Sequence, residues 1–335
     1  MKGYRTLTAM VAGFAAVISL AAASGAQSNS GASDLLLPIG ARAVGMGASN
    51  VAEQGGDGAW WNPAGLARLT KPEFSFDHFA TVSVPSGDAI ALVLPAGVVG
   101  VFAISARRFS FCKDCAATDS TGQETGVANL TADVVGVTFA ARFGPKVSAG
   151  ITGRIYQYSD GCSGACSGAF STPTNPSTTG FLDFGLQYRP SATSPLQAGL
   201  LLTNWGRNLQ VNNQEQADPL PTRLHLGISY RPTSSSWDPA LRVRLSSELV
   251  ATPTLSAEQE LHAGAEVGYV SGNTALSLRG GYVHAISAGP SSSFGPSLGF
   301  GIASGRVQLD VARIFDSFSP GLGSPPTYVS IRVGL

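Results

Sequence analysis

Apolar and polar residues alternate along most of the chain after residue 73, in segments of roughly ten residues. A period of two places successive side chains on opposite faces of a β-strand, whereas a helix repeats about every 3.6 residues. The alternation therefore predicts strands with one apolar and one polar face. In the segment 241–249 the apolar face carries Leu241, Val243, Leu245 and Leu249, and the polar face carries Arg242, Arg244, Ser246 and Glu248.

The alternation predicts fourteen strands, an even number. The links after the second, fourth, tenth and twelfth strands are tight, whereas most links after odd-numbered strands are long. Bacterial transmembrane barrels have even strand numbers, short periplasmic turns and longer extracellular loops. We therefore predict an all-β, transmembrane antiparallel β-barrel in the bacterial outer membrane. The predicted strands are residues 74–84, 88–94, 97–109, 129–142, 146–158, 179–190, 196–206, 221–231, 239–250, 259–270, 273–284, 293–303, 306–315 and 327–335.

The polar faces of these strands argue against the main alternative, a water-soluble sandwich of two sheets. Charged side chains would point into a dry sandwich core at a large cost, but in a barrel they face a polar or plugged lumen. Tyr188, Tyr230 and Tyr269 end strands on the apolar face, as expected for an aromatic girdle, although tyrosines at a sandwich edge are the alternative. The residues expected to face the lumen are Arg154, Asp183, Arg242, Arg244, Glu248, His262, Glu266, Arg279, Asp310 and Arg332.

The composition agrees with a sheet embedded in lipid. Charged residues make up 13% of the chain, and there are 41 glycines and 20 prolines. A soluble domain has about twice that charged fraction. The formal net charge of zero also argues against a nucleic-acid partner, which would require clustered Lys and Arg.

The N-terminus has the features of a secretory signal peptide. Lys2 and Arg5 precede an apolar run over residues 7–23 and a small-residue site at residues 24–26. A membrane anchor is the alternative, but the run is short for a span of roughly 20 residues. The predicted organisation is a signal peptide over residues 1–26, an N-terminal segment over 27–72 and the barrel over 73–335.

Residues 34–72 do not alternate, because Gly and Ala replace strand-forming residues. Pro63 is placed to open a short helix over residues 64–67, with Asn62 as its cap. A barrel of this size encloses space that must be filled or gated. We expect this segment to fold inward as a plug.

The same segment resembles the N-terminal hatch of the FadL superfamily of outer-membrane barrels. Three later phrases, at residues 181–190, 196–206 and 220–232, look more like the PorV/PorQ branch of that superfamily. The resemblance implies a monomeric barrel in outer-membrane lipid, a hatch inside its lumen and no catalysis. The hatch residues that carry the resemblance are Gly40, Arg42, Met46, Gly47, Trp61, Asn62, Pro63 and Gly65.

The resemblance offers two functions. PorV-type members serve type IX secretion, which implies a secretion channel and exported proteins as partners. The contacts would then lie in the loops at residues 111–128, 160–178 and 207–220. FadL-type members take up hydrophobic compounds, which implies a hydrophobic small molecule as partner. The sequence similarity favours protein export, whereas the physical features do not distinguish export from the uptake of hydrophobic compounds.

The second and third predicted strands are apolar on both faces. A barrel would therefore have an apolar patch on its lumenal wall. Such a patch either binds a hydrophobic ligand or packs against the plug, and packing is the favoured interpretation.

Four cysteines, Cys112, Cys115, Cys162 and Cys166, fall in two predicted extracellular loops. Disulfides are the default state after export, and zinc or free thiols are the alternatives. The spacing leaves the pairing open. Local pairs would close short loops that contribute little, whereas cross-pairs would constrain more chain.

We find no sequence pattern for enzymatic chemistry. The histidines at positions 78, 225, 262 and 284 are scattered without ligand spacing, and no phosphate-binding loop or nucleophile constellation is present. We therefore expect neither a catalytic residue, a metal nor a cofactor.

Overall fold

The computed structural model describes residues 31–81, 85–119, 121–164, 177–210, 217–233, 236–252, 259–286, 295–315 and 325–335. The signal peptide predicted over residues 1–26 lies outside these residues, as does Cys166. No helix among the described residues is long and apolar enough to cross a membrane.

Fourteen antiparallel strands form a closed barrel, which confirms the predicted fold class. Each strand pairs with its neighbours in sequence, and β1 closes the barrel against β14 with Phe76 opposite Ile331. The strands are β1 Glu73–Ala80, β2 Ser86–Pro95, β3 Val101–Thr118, β4 Glu124–Phe143, β5 Val147–Gly164, β6 Ser177–Tyr188, β7 Leu196–Gly206, β8 Arg223–Tyr230, β9 Leu241–Ala251, β10 Gln259–Ser271, β11 Thr274–Ala285, β12 Gly295–Ser304, β13 Val307–Ile314 and β14 Thr327–Gly334.

The turns give the barrel its orientation. Only two residues separate β10 from β11 and β12 from β13. Short turns face the periplasm in bacterial barrels, so this is the periplasmic end and the opposite end is the outer end. Odd-numbered strands accordingly run outward.

The outer surface of the barrel carries the apolar face of the alternation. In β12, Phe300 and Ile302 are exposed, whereas the alternating Gly299 and Gly301 are buried. Tyr188, Tyr230 and Tyr269 lie on this outward face at the periplasmic ends of β6, β8 and β10. Their positions suit the interfacial belt of a membrane barrel.

The interpretation of residues 111–128 as a loop was wrong. β3 continues to Thr118 and β4 begins at Glu124, with Ala116 paired to Val127. β5 likewise extends to Gly164. We attribute the error to the loss of alternation above the membrane, where both faces of a hairpin meet water and neither must be apolar.

The N-terminal segment, residues 31–72, contains only short helical elements. Asn62 Oδ1 accepts a hydrogen bond from Ala64 N at 3.0 Å, so the predicted cap and short helix are present, in the 3-10 form. The α-helix α1 covers Ala41–Gly45, and the 3-10 helices cover Ser33–Leu36, Gly56–Ala59 and Pro63–Arg68.

Candidate site: the hatch and an apolar chamber in the lumen

The N-terminal segment packs directly against the inner face of the barrel wall, and glycines make this approach possible. A Cβ on Gly150 of β5 would lie 2.7 Å from the carbonyl carbon of Pro63, and one on Gly185 of β6 would overlap the Asn62 side chain. Real Cβ atoms essentially never come so close. Five more lumenal glycines leave similarly little space for a Cβ against the segment, and they are Gly199, Gly227, Gly264, Gly281 and Gly299.

Asn62 joins two parts of the segment to strands β6 and β7. Its Nδ2 lies 2.8 Å from the carbonyl oxygen of Val51, and it also lies within hydrogen-bond distance of the carbonyl oxygens of Leu186 and Leu200. Gln187 of β6 donates to the carbonyl of Val51 at 3.1 Å and to that of Glu53 at 2.7 Å. The wall thus satisfies backbone groups that would otherwise be buried without partners.

Glu248 of β9 holds the middle of the segment. One carboxylate oxygen accepts the backbone N–H groups of Asn50 and Val51, both at 2.9 Å, and the other contacts His225 at 2.7 Å. His262 Nδ1 lies 3.0 Å from the carbonyl oxygen of Gly47.

The other residues of the predicted hatch motif have local or packing roles. Trp61 Nε1 donates to the carbonyl of Ile39 at 2.9 Å, and Gly65 N donates to that of Asn62 at 2.9 Å. Gly40 precedes α1 with a φ of 91°, a conformation that favours glycine. Met46 is buried against Gly264.

Arg42 stands at the centre of a buried ion cluster between the segment and the wall. It lies 2.9 Å from Asp57, 3.5 Å from Glu53 and 3.8 Å from Glu266. The cluster contains five arginines and five carboxylates, so its formal charges balance. Its members are Arg42, Arg231, Arg244, Arg279, Arg332, Glu53, Asp57, Glu73, Glu266 and Asp310.

The cluster controls the ionisation of Asp57. Burial alone would raise the pKa of this carboxyl, but the guanidinium groups of Arg332 and Arg42 outweigh burial and hold it below its usual value. Asp57 is therefore ionised at neutral pH, and its charge stabilises the docked segment.

A second ionic contact lies on the opposite wall. Arg154 Nε is 2.7 Å from Asp183, and its NH2 group donates to the carbonyl of Ala59 at 3.0 Å. Asp183 also accepts from Thr203 and from the backbone of Asn204.

The predicted lumen-facing residues fall into two groups. Arg242 is exposed on its strand, and its guanidinium contacts the carbonyl of Leu241 at 2.9 Å. The others have largely buried side chains, and they are Arg154, Asp183, Arg244, Glu248, His262, Glu266, Arg279, Asp310 and Arg332.

The ion cluster and the apolar contacts occupy different levels of the lumen. On β1, Glu73 of the cluster lies at the periplasmic end, while Phe79 lies six residues toward the outer end. On β14, Tyr328 lies near the outer end and Arg332 four residues below it. The lower lumen is therefore ionic on this side, and the upper lumen is apolar.

The upper lumen is filled by a packed cluster of apolar and aromatic side chains, which we call the apolar chamber. Phe79 lies 5.3 Å from Phe109 and 5.4 Å from Tyr328 between ring centroids. This apolar chamber is formed by Ala41, Val44, Phe79, Phe109, Ala132, Val134, Tyr156, Phe181, Leu209, Leu220, Val283, Ala312, Ile314 and Tyr328.

The link between β7 and β8 covers part of the chamber. Leu209 pairs with Asp218, Leu209 and Leu220 are buried, and Gly31 N donates to the carbonyl of Pro219 at 3.0 Å. The start of the described chain therefore lies at the outer end of the lumen.

A narrow cleft of about 20 Å³, room for about one water molecule, opens between the chamber and the segment. Its lining combines apolar residues with polar or charged ones. The apolar residues include Leu37, Ile39, Phe79, Phe109 and Tyr328, and the polar or charged ones are Asp77, His78, Asp88, Arg107 and Arg108.

The apolar patch predicted on strands 2 and 3 serves packing. Ala91 and Val93 of β2 and Val101 of β3 pack in one cluster with Ala59 and Leu66 of the segment. The chamber lies elsewhere, at the outer ends of the strands.

Sequence reasoning missed the chamber, although strand parity carried a signal. Tyr156 lies two residues from Arg154 on the same face of β5, and Phe109 lies two residues from Arg107 on β3. An aromatic side chain with the parity of a lumenal charge must also face the lumen. Applied to each strand, this rule would have identified Phe79, Phe109, Tyr156 and Tyr328.

The three cysteines among the described residues lie in the extended strands β3 and β5, beyond the chamber. Cys112 and Cys115 form a local disulfide on β3, and Cys162 on β5 is also disulfide-bonded. No group of three or more His, Cys, Asp or Glu in the described part of the chain could hold a metal.

No protein family and no curated protein matches this sequence. Solved structures do share its fold. The Pseudomonas putida toluene transporter TodX matches with a TM-score of 0.56 and 11% identity, covering 88% of this chain and 98% of that chain. The Ralstonia pickettii toluene transporter TbuX matches with a TM-score of 0.54 and 14% identity over the same shares. A Pseudomonas aeruginosa FadL homologue matches at 0.50 with 10% identity, again over 88% and 98%.

These comparisons show the fold. The chain is a fourteen-stranded β-barrel of the bacterial outer membrane, similar to FadL-type channels.

Proposed function

We propose that this barrel is a passage for hydrophobic small molecules across the outer membrane. The apolar, aromatic chamber at the outer end of the lumen carries the proposal. Apolar side chains cannot replace the hydrogen bonds that a hydrated ion or a sugar makes with water. Burial of an apolar molecule, in contrast, gains roughly 25 cal/mol for each Å² removed from water.

The N-terminal segment acts as the hatch in this proposal. Its ion cluster and the glycine contacts separate the chamber from the periplasmic end, so a solute that crosses must shift the segment or leave through the wall. A segment held by this many buried polar contacts stays closed until a ligand favours another arrangement.

Structural similarity also supports a passage for hydrophobic small molecules. Two of the matched structures are described as toluene transporters. At 11% and 14% identity this similarity concerns the fold, so the chamber remains the main argument.

Protein export is the second candidate. It rests on the resemblance of residues 181–190, 196–206 and 220–232 to the PorV/PorQ branch, and on the long β3–β5 strands that offer an extracellular surface. The exposed part of these strands has few large apolar anchors, which favours transient capture over a permanent interface.

The test is uptake of radiolabelled naphthalene by a Gram-negative host that lacks its own channels for hydrophobic compounds. Cells with the full chain should take it up faster than cells with an empty vector. The variant Ala132→Trp places an indole ring among the side chains of the apolar chamber and should remove most of the difference. Ala141→Trp adds the same ring to the lipid-facing side of β4 and should behave like the wild type.

Uptake equal to the empty vector, or normal uptake by Ala132→Trp, would refute the proposal. Co-purification of a secretion channel with a barrel that does not transport naphthalene would favour export.

A further inference from the structure

Five basic residues lie together at the periplasmic mouth of the barrel. Arg68 ends the last 3-10 helix of the hatch, and Lys146 lies in the turn between β4 and β5. Arg142 is the penultimate residue of β4, and Arg189 and Arg231 directly follow β6 and β8. We call these five residues the basic patch.

Short contacts hold the basic patch together across the boundary between the hatch and the wall. The Arg68 Nη2 group donates to the carbonyl of Pro145 at 2.7 Å, and Arg189 N donates to that of Lys146 at 2.8 Å. The Arg189 guanidinium also donates to the side-chain oxygen of Gln54 of the hatch at 3.0 Å. A partner that binds the patch therefore contacts the hatch and the wall together.

The basic patch has too few carboxylates, unlike the ion cluster, whose charges balance. Among the described residues, only Arg231 has a carboxylate within ion-pairing distance, which is Glu53 of the ion cluster at 3.0 Å. The other four residues of the patch have none there. The Nε atoms of Arg68, Arg189 and Arg231 also lack a hydrogen-bond partner among the described residues. The patch therefore carries positive charge and N–H donors that the described fold leaves unsatisfied.

The positive charges of the patch crowd one another. Burial, together with Arg231 and Arg68, lowers the pKa of Arg189, and burial together with Arg142 lowers the pKa of Arg68. These side chains stay charged at neutral pH, because a guanidinium titrates far above it. An anion that binds here relieves their mutual repulsion.

The basic patch faces the mouth of the lumen rather than the lipid. Arg142 has the parity of the buried Ala140 on β4, and Arg189 has that of the buried Gln187 on β6. Arg142 and Lys146 are exposed. Phospholipid head groups surround the outward face of the barrel, so a partner dissolved in the periplasm reaches the patch more directly.

The extent of the patch favours a chain of anions over a single ion. Its ends, on β4 and β8, lie four strand spacings apart, which is about 20 Å. An extended peptide of about six residues spans this distance. Arginine forks bind carboxylates through paired hydrogen bonds, and each unpartnered Nε supplies one N–H of such a pair.

We infer that the basic patch is a docking surface for an acidic segment of a soluble periplasmic protein. The segment lies extended across the mouth, with its carboxylates on the arginines. It contacts Arg68 of the hatch and Arg189 of the wall, so its binding depends on the position of the hatch. Docking does not require that the barrel transports hydrophobic molecules.

The test uses hexaglutamate labelled with fluorescein as the probe. Its binding to the full-length barrel in phosphatidylcholine nanodiscs would be measured by fluorescence anisotropy at pH 7 and low ionic strength. The wild type should bind the peptide, and added salt should weaken the binding because the contacts are ionic.

Arg142→Glu/Lys146→Glu reverses two charges of the patch and should weaken binding of hexaglutamate roughly tenfold. Both side chains are exposed, so the barrel should still fold. Lys113→Glu/Arg207→Glu is the matched control, because it makes the same change in net charge with two exposed residues at the outer end. The control should keep the wild-type affinity.

No binding of hexaglutamate, or equal losses in the two variants, would overturn the docking surface. Loss of wild-type binding in nanodiscs that contain phosphatidylglycerol would also overturn it, and would assign the patch to lipid head groups. Binding of purified peptidoglycan through the patch, without binding of hexaglutamate, would overturn it and assign the patch to the cell wall. Naphthalene uptake is measured separately, so each of these results leaves the proposed function intact.

Discussion

Gly185 lies directly against the side chain of Asn62, with no room for a Cβ between them. Asn62 is also the residue that caps the 3-10 helix and reaches three neighbouring backbone segments. The position of the hatch therefore depends on a wall residue without a side chain. This relationship, repeated at the other lumenal glycines, lets an irregular segment dock tightly inside a sheet.

Gly185→Ala should displace the hatch from the wall and raise the passage of small hydrophilic solutes. The physical reason is overlap, because the new methyl group occupies the place of the Asn62 amide oxygen. Swelling of liposomes in a small sugar measures the effect. Gly153→Ala is the control, since its methyl group would meet only Leu182 at 3.7 Å. Equal swelling rates for both variants and the wild type would contradict the plug role.

Arg42→Met should loosen the hatch strongly. It leaves Asp57, Glu53 and Glu266 without their shared cation, and breaking a buried ion pair costs about 3–5 kcal/mol. Hydrogen exchange of the hatch amides should then lose roughly a hundredfold or more of its protection.

Arg108→Met is the matched control for Arg42→Met. Arg108 pairs with Asp133 on the outward face at 2.8 Å, and its side chain is 68% exposed. Exposed pairs contribute about 0–1 kcal/mol, so hatch protection should not change. Similar losses in the two variants would show that the ion cluster does not hold the hatch.

The hatch should stay docked at neutral and mildly acidic pH and loosen only in strong acid. The docked pKa of Asp57 is lowered, so its charge stabilises docking above the value of a free Asp, about 3.9. That stabilisation is lost as the pH falls through the lowered pKa that Asp57 has in the docked segment. Hydrogen exchange of residues 41–62 from pH 7 to pH 3 would follow it. Release already near pH 6 in the wild type would contradict this account, and Asp57→Asn should weaken the acid-dependent step.

The sequence predicted the strands where lipid and lumen impose different chemistry on the two faces. Residues such as Leu245 and Arg244 could not share a face, so strand type and parity followed. The extensions of β3 and β4 were missed because residues such as Lys113 and Glu124 meet no lipid. The chamber was missed because a lumenal Phe109 and a lipid-facing Phe102 are chemically identical, and only parity separates them.

Reduction of the Cys112–Cys115 disulfide should leave the barrel and its chamber intact. The bond joins residues only three positions apart, on the part of β3 beyond the lumenal chamber, and such a small loop contributes at most about 2 kcal/mol. Thermal unfolding of the wild type and of a Cys112→Ser/Cys115→Ser variant measures the effect, since a reductant would also break the disulfide of Cys162. A large fall in the unfolding temperature, or loss of naphthalene binding, would contradict it.

The most direct test of the central claim is to locate a bound apolar molecule. A crystal of the full-length barrel soaked with 2-bromonaphthalene would reveal the bromine by its anomalous signal. The account predicts a peak in the cleft beside Leu37, Phe79, Phe109 and Tyr328, with the hatch in place below it. Peaks confined to the lipid-facing surface, with none in the lumen, would contradict hydrophobic passage through this barrel.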